Sequence, residues 1–109
     1  MMIYVASPYT SDEEHIRNAR YGIVLHYVRN RMLTGEVLFS PIVYGHQFVA
    51  GNSAIVPASF WKNFNFHMLR NSNSMRVLRM PGWYNSAGIA EEVEYCVKYR
   101  IPVEWVNPL

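Results

Sequence analysis

Pro81-Gly82 separates two apolar segments of different pattern, and this leaves the chain little choice of local structure. Met75 to Met80 is a short apolar run, Pro81-Gly82 breaks it, and from Ser86 the apolar residues recur as they do on a helix. The pattern predicts a strand, a tight loop and a helix N-terminus. With Ser86 as N-cap, Ile89, Val93, Cys96 and Val97 fall on one face at the i, i+4, i+7, i+8 spacing of a buried stripe. Such a helix packs on a sheet, and crevices at strand–helix junctions are where open α/β sheets bind ligands.

The same helix carries three carboxylates. At about 100° per residue, Glu91 points nearly opposite the stripe, Glu94 points well away from it, and Glu92 sits on its edge. Glu91 and Glu94 need no more explanation than a favourable interaction with the helix dipole. Glu92 does, because a carboxylate beside an apolar face requires either a partner or a task.

At 109 residues the chain is expected to form one domain, residues 1–109, with a single core. Half of its residues are hydrophobic, which argues against disorder. Ten basic residues stand against eight acidic ones and are scattered along the sequence, so no basic patch points to nucleic acid. The lone Cys96 lies on the inner face of a helix, where it allows no internal disulfide and is expected to pack in the core. No apolar run is long enough to cross a membrane, and the N-terminus lacks the pattern of a signal peptide, so the expected location is the cytoplasm.

From the N-terminus, Met2 to Ala6 reads as a buried strand that Ser7-Pro8-Tyr9-Thr10 turns into a loop. Ser11, with Glu14 three residues on, has the pattern of a capping box. A helix follows with Ile16, Ile23, Val24, Tyr27 and Val28 as its apolar stripe, and Thr34-Gly35 stops it. The loop before it has neither a Gly-x-Gly-x-x-Gly run nor a P-loop lysine, so no nucleotide cofactor is expected through those motifs. A Ser/Thr-rich turn at a helix start can still hold an anion.

Val37 to Phe39 reads as a second strand ended by Ser40-Pro41, and Ile42 to Val56 shows no clean period and reads as irregular, with at most a helical turn. His46 in that stretch is either a ligand contact or a structural histidine without a sequence-visible partner. The four histidines and one cysteine show no metal-ligand spacing, so no metal is expected. Pro57 opens a helix to about Asn73 whose apolar face holds Trp61, Phe64, Met68 and Leu69, with Asn65 in its middle. That amide is either tied to neighbouring backbone or offered to a polar ligand in an apolar pocket. Arg76 and Arg79 in the third strand suggest a subunit contact or an exposed end, and Ile101 to Val106 reads as the fourth strand. This alternation predicts an α/β fold, a small flavodoxin- or Rossmann-like three-layer sandwich around a parallel sheet of about four to five strands.

Five fragments occur in one order: Ile3-Tyr4-Val5-Ala6-Ser7-Pro8-Tyr9, Ser40-Pro41-Ile42, Asn65-Phe66-His67-Met68-Leu69, Pro81-Gly82-Trp83-(x)2-Ser86-x-Gly88-(x)3-Glu92, and Ile101-Pro102-Val103. Together they resemble the nucleoside 2-deoxyribosyltransferase superfamily, in particular its small phage- and bacterium-type members and the nucleoside 5′-monophosphate N-glycosidases. The resemblance spans nearly the whole chain, and its most specific part is Ser-x-Gly-(x)3-Glu.

The resemblance implies chemistry at the N-glycosidic bond of a nucleoside or nucleotide. Glu92 falls on the family's nucleophile, and Tyr4 on the strand-end tyrosine that orients nucleophile and sugar. Ser86 falls where the nucleotide hydrolases bind phosphate, and with Gly88 and the Ser7-to-Ser11 loop, which includes Tyr9, it is expected to contact the substrate together with His46. Asn65 stands where the family usually has Asp, and an amide can neither donate a proton as a carboxylic acid does nor act as a carboxylate base. Three functions compete: an N-glycoside hydrolase or transferase, a non-catalytic nucleotide-binding module, and a small interaction protein. Glu92 favours the first and Asn65 the second. A homo-oligomer, most simply a dimer through the Phe60-to-Phe66 surface, is expected because the aromatics are too many for one small core. The expected partner is a small molecule, not nucleic acid or membrane.

Overall fold

The computed structural model describes residues 1–49 and 56–108. Four parallel strands form one sheet: β1 (Ile3–Ala6), β2 (Leu38–Phe39), β3 (Ser74–Leu78) and β4 (Val103–Val106), in the spatial order β2-β1-β3-β4. Four helices accompany them among the described residues: α1 (Glu14–Met32), α2 (Pro41–Val49), α3 (Ala58–Arg70) and α4 (Ala87–Tyr99), with a 3-10 turn at Trp83–Asn85 before α4. Tyr4 stands opposite Met75 on one side of β1 and opposite Phe39 on the other.

The strand order explains the layers. The chain steps from β1 to β2 in one direction and then reverses, passing β1 to β3 and on to β4. Parallel crossovers are right-handed, so the reversal puts α1 on one face and α3 with α4 on the other. The two cores follow this division. Tyr4, Ala6, Met75 and Val77 meet Leu69 of α3 and Ile89 and Cys96 of α4, whereas Val5 and Leu78 meet Val24, Tyr27 and Val28 of α1. Alternate residues of the central strands therefore face opposite layers, as the two-residue period of a strand requires. None of the described helices is long and apolar enough to cross a membrane.

Several expectations need correction. The Ile42-to-Val56 stretch is not irregular in its first part: it opens with α2, and the remainder through residue 55 lies outside the described residues. Ser40 caps that helix, its Oγ accepting the Val43 N–H at 3.1 Å, and Pro41 occupies the first helical position, where its missing N–H costs nothing. Ser11 forms no capping box: α1 begins at Glu14, and the Ser11 Oγ accepts only the Glu13 N–H. The Thr10 and Ser11 carbonyls are instead held by Arg20 and Arg17, which keeps this turn outside the helix. The third helix runs from Ala58 to Arg70, not to Asn73.

Two stripe residues are exposed, Ile23 at 36% and Val97 at 74%. On α4 the cause is rotation. Ile89 and Cys96 point into the core, and Glu92, not Val97, borders them. Of the two arginines, Arg79 is exposed just past the end of β3, whereas Arg76 is not at an exposed end. Its side chain is 12% exposed, and its guanidinium meets Glu36 at 2.9 Å and Glu104 at 3.6 Å and donates to the Tyr27 hydroxyl at 3.0 Å.

Candidate active site

β1 and β3 are neighbours from which the chain departs to opposite faces, so their C-terminal ends mark the point where the winding reverses and a crevice opens. A cleft of about 890 Å³ occupies this position, a size that suits a small ligand. Of the residues singled out from sequence, Ser7, Tyr9, His46, Asn65, Ser86, Gly88 and Glu92 all line it. Tyr4 lies just beneath, wholly buried on β1.

The centre of the site is a hydrogen bond between the sheet and α4. The Tyr4 hydroxyl donates to Glu92 Oε2 at 2.5 Å, across 88 positions of sequence. Burial, and then the nearby Glu92 carboxylate, push the Tyr4 hydroxyl far above its ordinary value, so it remains a donor. Burial pushes the Glu92 carboxyl up to about 7; Glu91 adds to the rise, and the Tyr4 hydrogen bond opposes it. A carboxylate in this state is more basic than one in water, is fixed by one strong donor, and has its second oxygen free of that bond.

Around this pair the cleft holds polar atoms with no partner among the described residues: Ser7 Oγ, Asn65 Oδ1 and Trp61 Nε1. Buried polar atoms are normally hydrogen-bonded, so three lining one cleft point to a polar ligand. The Asn65 alternative of a tie to neighbouring backbone has no counterpart among the described hydrogen bonds.

His46 is not unpartnered. Its Nδ1 is 2.7 Å from the Tyr9 hydroxyl, and its ring stacks on Tyr21 with centroids 4.1 Å apart. Burial, and then Arg17, hold its pKa below the ordinary value, which favours the neutral ring. Neither tyrosine is near it in sequence: Tyr9 lies in the loop after β1 and Tyr21 on α1, and the fold brings α2 against both. Ser86 is the N-cap of α4, with its Oγ accepting the Ile89 N–H at 3.2 Å, so the hydroxyl hydrogen stays available to the cleft.

Other candidates fall away from the chemistry. Cys96 is buried against Met75, and burial pushes its thiol up to about 11, so it packs as a small hydrophobe. Glu91 pairs with Lys62 at 3.2 Å at the rim of the cleft. Among the described residues no group of three or more His, Cys, Asp or Glu side chains could hold a metal ion.

A family model described as a domain of unknown function, DUF1937, matches residues 1–107. The chain belongs to the DUF1937 family. No curated protein matches this DUF1937 domain in sequence. Among solved structures it is similar to the 2-deoxyribosyltransferase of the psychrotolerant bacterium Bacillus psychrosaccharolyticus, with a TM-score of 0.59 and 19% sequence identity, over 99% of this chain and 73% of the other. At that identity the likeness establishes a shared fold: the α/β sandwich with its parallel sheet is the one on which that transferase is built.

Proposed function

We propose that this DUF1937 domain cleaves the N-glycosidic bond of a nucleoside or nucleoside 5′-monophosphate through a covalent glycosyl-enzyme on Glu92, with water favoured over a second base as the acceptor. The observation that carries the reading is the Tyr4–Glu92 pair, a desolvated carboxylate oriented by a phenol at the edge of a ligand-sized cleft. The transferase activity in the structural neighbour's name points to the same bond class.

In the first step the ionised Glu92 attacks the anomeric carbon, the carbon–nitrogen bond breaks, and its electron pair leaves with the base, which takes up a proton from solvent in the cleft. In the second step water adds to the anomeric carbon and loses a proton, and the carboxylate is released with the free sugar. Tyr4 holds Glu92 in line throughout. Ser86, the Gly88 N–H and the Ser7 loop hold the 5′ end of the sugar, while Tyr9 and His46 contact the substrate further along the cleft. Asn65 offers its amide to a base edge, since its Oδ1 has no partner among the described residues. The proposal requires no cofactor. The working form is a homo-oligomer that covers the exposed aromatics of α2 and α3.

A second reading has its own observation. Because Asn65 cannot protonate a leaving base, a domain that binds nucleotides without turning them over also fits the cleft. Incubation with a panel of nucleosides and 5′-monophosphates, read by chromatography for free base, separates the two. Base release that disappears in Glu92→Gln supports the enzyme. Saturable binding with no base release from any substrate assigns the binding module.

A further inference from the structure

One cation in the cleft has no place in the chemistry above. Arg20 reaches from α1 to the loops that follow β1 and β3. Its Nη1 donates to the Thr10 carbonyl at 2.9 Å, and its Nη2 lies over Gly82, where an added Cβ would come within 2.6 Å of it. Gly82 has φ +94°, so the loop meets the guanidinium through a residue that has both the required backbone freedom and no side chain to displace the charge. The guanidinium lies between the two loops that carry Ser7 and Ser86, and all three residues line the same cleft.

The other placed cations are neutralised or turned elsewhere. Arg31 and Arg76 share Glu36, Lys62 pairs with Glu91, and Arg17 binds the Ser11 carbonyl without lining the cleft. Arg20 has no carboxylate within ion-pair distance among the described residues; a carbonyl accepts one of its N–H groups and leaves the charge uncompensated. A second, independent observation comes from Ser7. It is 8% exposed and lines this cleft, and its Oγ has no partner among the described residues. The start of α1 does not supply positive charge here, because Asp12, Glu13 and Glu14 surround it.

We propose that Arg20 is the specificity-determining residue of the cleft, binding the phosphate monoester of a nucleoside 5′-monophosphate with its guanidinium while the Ser7 and Ser86 hydroxyls and the Gly88 N–H complete the cradle. The identity of the nucleoside rests on the function proposed above; the anion site itself does not. A guanidinium offers two parallel donors to a phosphate, and the Thr10 carbonyl occupies only one of the Arg20 N–H groups. Binding energy from the phosphate is then available to position the anomeric carbon against Glu92.

The test uses inorganic phosphate and the intact protein, as wild type, Arg20→Gln and Arg20→Lys, with affinity followed by NMR titration. Wild type is expected to bind phosphate, with shifts centred on Ser86 to Gly88. Arg20→Gln should bind it at least about tenfold more weakly, about 1.4 kcal/mol, and Arg20→Lys should recover part of the loss. The kcat/KM ratio of 5′-monophosphate to nucleoside should be about ten or more in wild type and fall toward unity in Arg20→Gln. Phosphate affinity equal in wild type and both variants overturns the inference, as does a loss in both that a matching fall in thermal stability accounts for. Glu92-dependent base release with an unchanged ratio in Arg20→Gln overturns it while the proposed function stands. Phosphate binding lost in Arg20→Gln, with no base release from any substrate, upholds it while the proposed function falls.

Discussion

Glu92→Gln tests the energetic state of the site apart from any substrate. The carboxyl lies at about 7, where its ordinary value is 4.5, and the first cause is burial. At about 1.4 kcal/mol per pH unit, keeping the ionised form in the folded protein costs about 3 kcal/mol. The direction follows from linkage: the folded state holds this proton more tightly than the unfolded chain. The contribution is therefore fully present below 4.5 and is lost as pH rises through about 7. Glutamine keeps an acceptor for the Tyr4 hydroxyl and has no charge to desolvate. Urea unfolding of both proteins from about pH 5 to about pH 8 should therefore show the variant gaining about 2 to 3 kcal/mol relative to wild type as pH rises, with other titrating groups cancelling in the difference. A stability difference that stays flat across this range would refute the claim that Glu92 is desolvated, and with it the main physical support for a tuned nucleophile.

The same carboxyl should set the pH dependence of turnover, with kcat/KM for an unphosphorylated nucleoside rising with pH through an apparent pKa of about 7; a flat profile would detach Glu92 from the rate. Asn65→Asp, which introduces a carboxyl group beside the cleft, should raise base release by about tenfold or more or shift base preference, and unchanged rates for every base would make the position structural. Glu36→Gln should destabilise the fold by about 2 kcal/mol in thermal unfolding, because Arg76 and Arg31 both lose their carboxylate. Hydrogen bonds from Arg76 and then Arg31 hold the Glu36 carboxyl at about 2, so in wild type this support should disappear as pH falls from 4.5 toward 2, and a variant with the same acid limb as wild type would contradict that. Light scattering at micromolar concentration should give at least a dimer, since Tyr44, Phe48 and Phe60 stand 43%, 44% and 47% exposed; a fully active monomer would count against the proposed oligomer.

Some of this was legible in sequence and some was not, for physical reasons. The break at Pro81-Gly82 and the cap at Ser86 are local chemistry, so the β3-to-α4 junction could be read directly. α2 could not, because it carries two apolar faces. Val43 packs with the α1-side core, while Tyr44 stacks on Phe64 at 5.5 Å and Phe48 lies 5.7 Å from the Trp61 ring, so its residues show no single period. Ser40-Pro41 was the signal that could have found it. The helical wheel located Glu92 at the edge of the stripe but could not name its partner, since Tyr4 reaches it only through the sheet. Arg20 carried no signal at all: its role depends on a glycine 62 positions away whose φ only the fold defines.

The sheet's two margins limit how copies of this protein can meet. β2 is only two residues long, too short to template another strand. β4 has Pro102 before it and Pro108 after it, neither of which can donate a backbone hydrogen bond, and between them Glu104 places a charge at 64% side-chain exposure. Both margins are blunted against continuous strand pairing. The oligomer proposed above would then form through side chains and not through a shared sheet, and the exposed Tyr44, Phe48 and Phe60 of α2 and α3 are the apolar surface available for it.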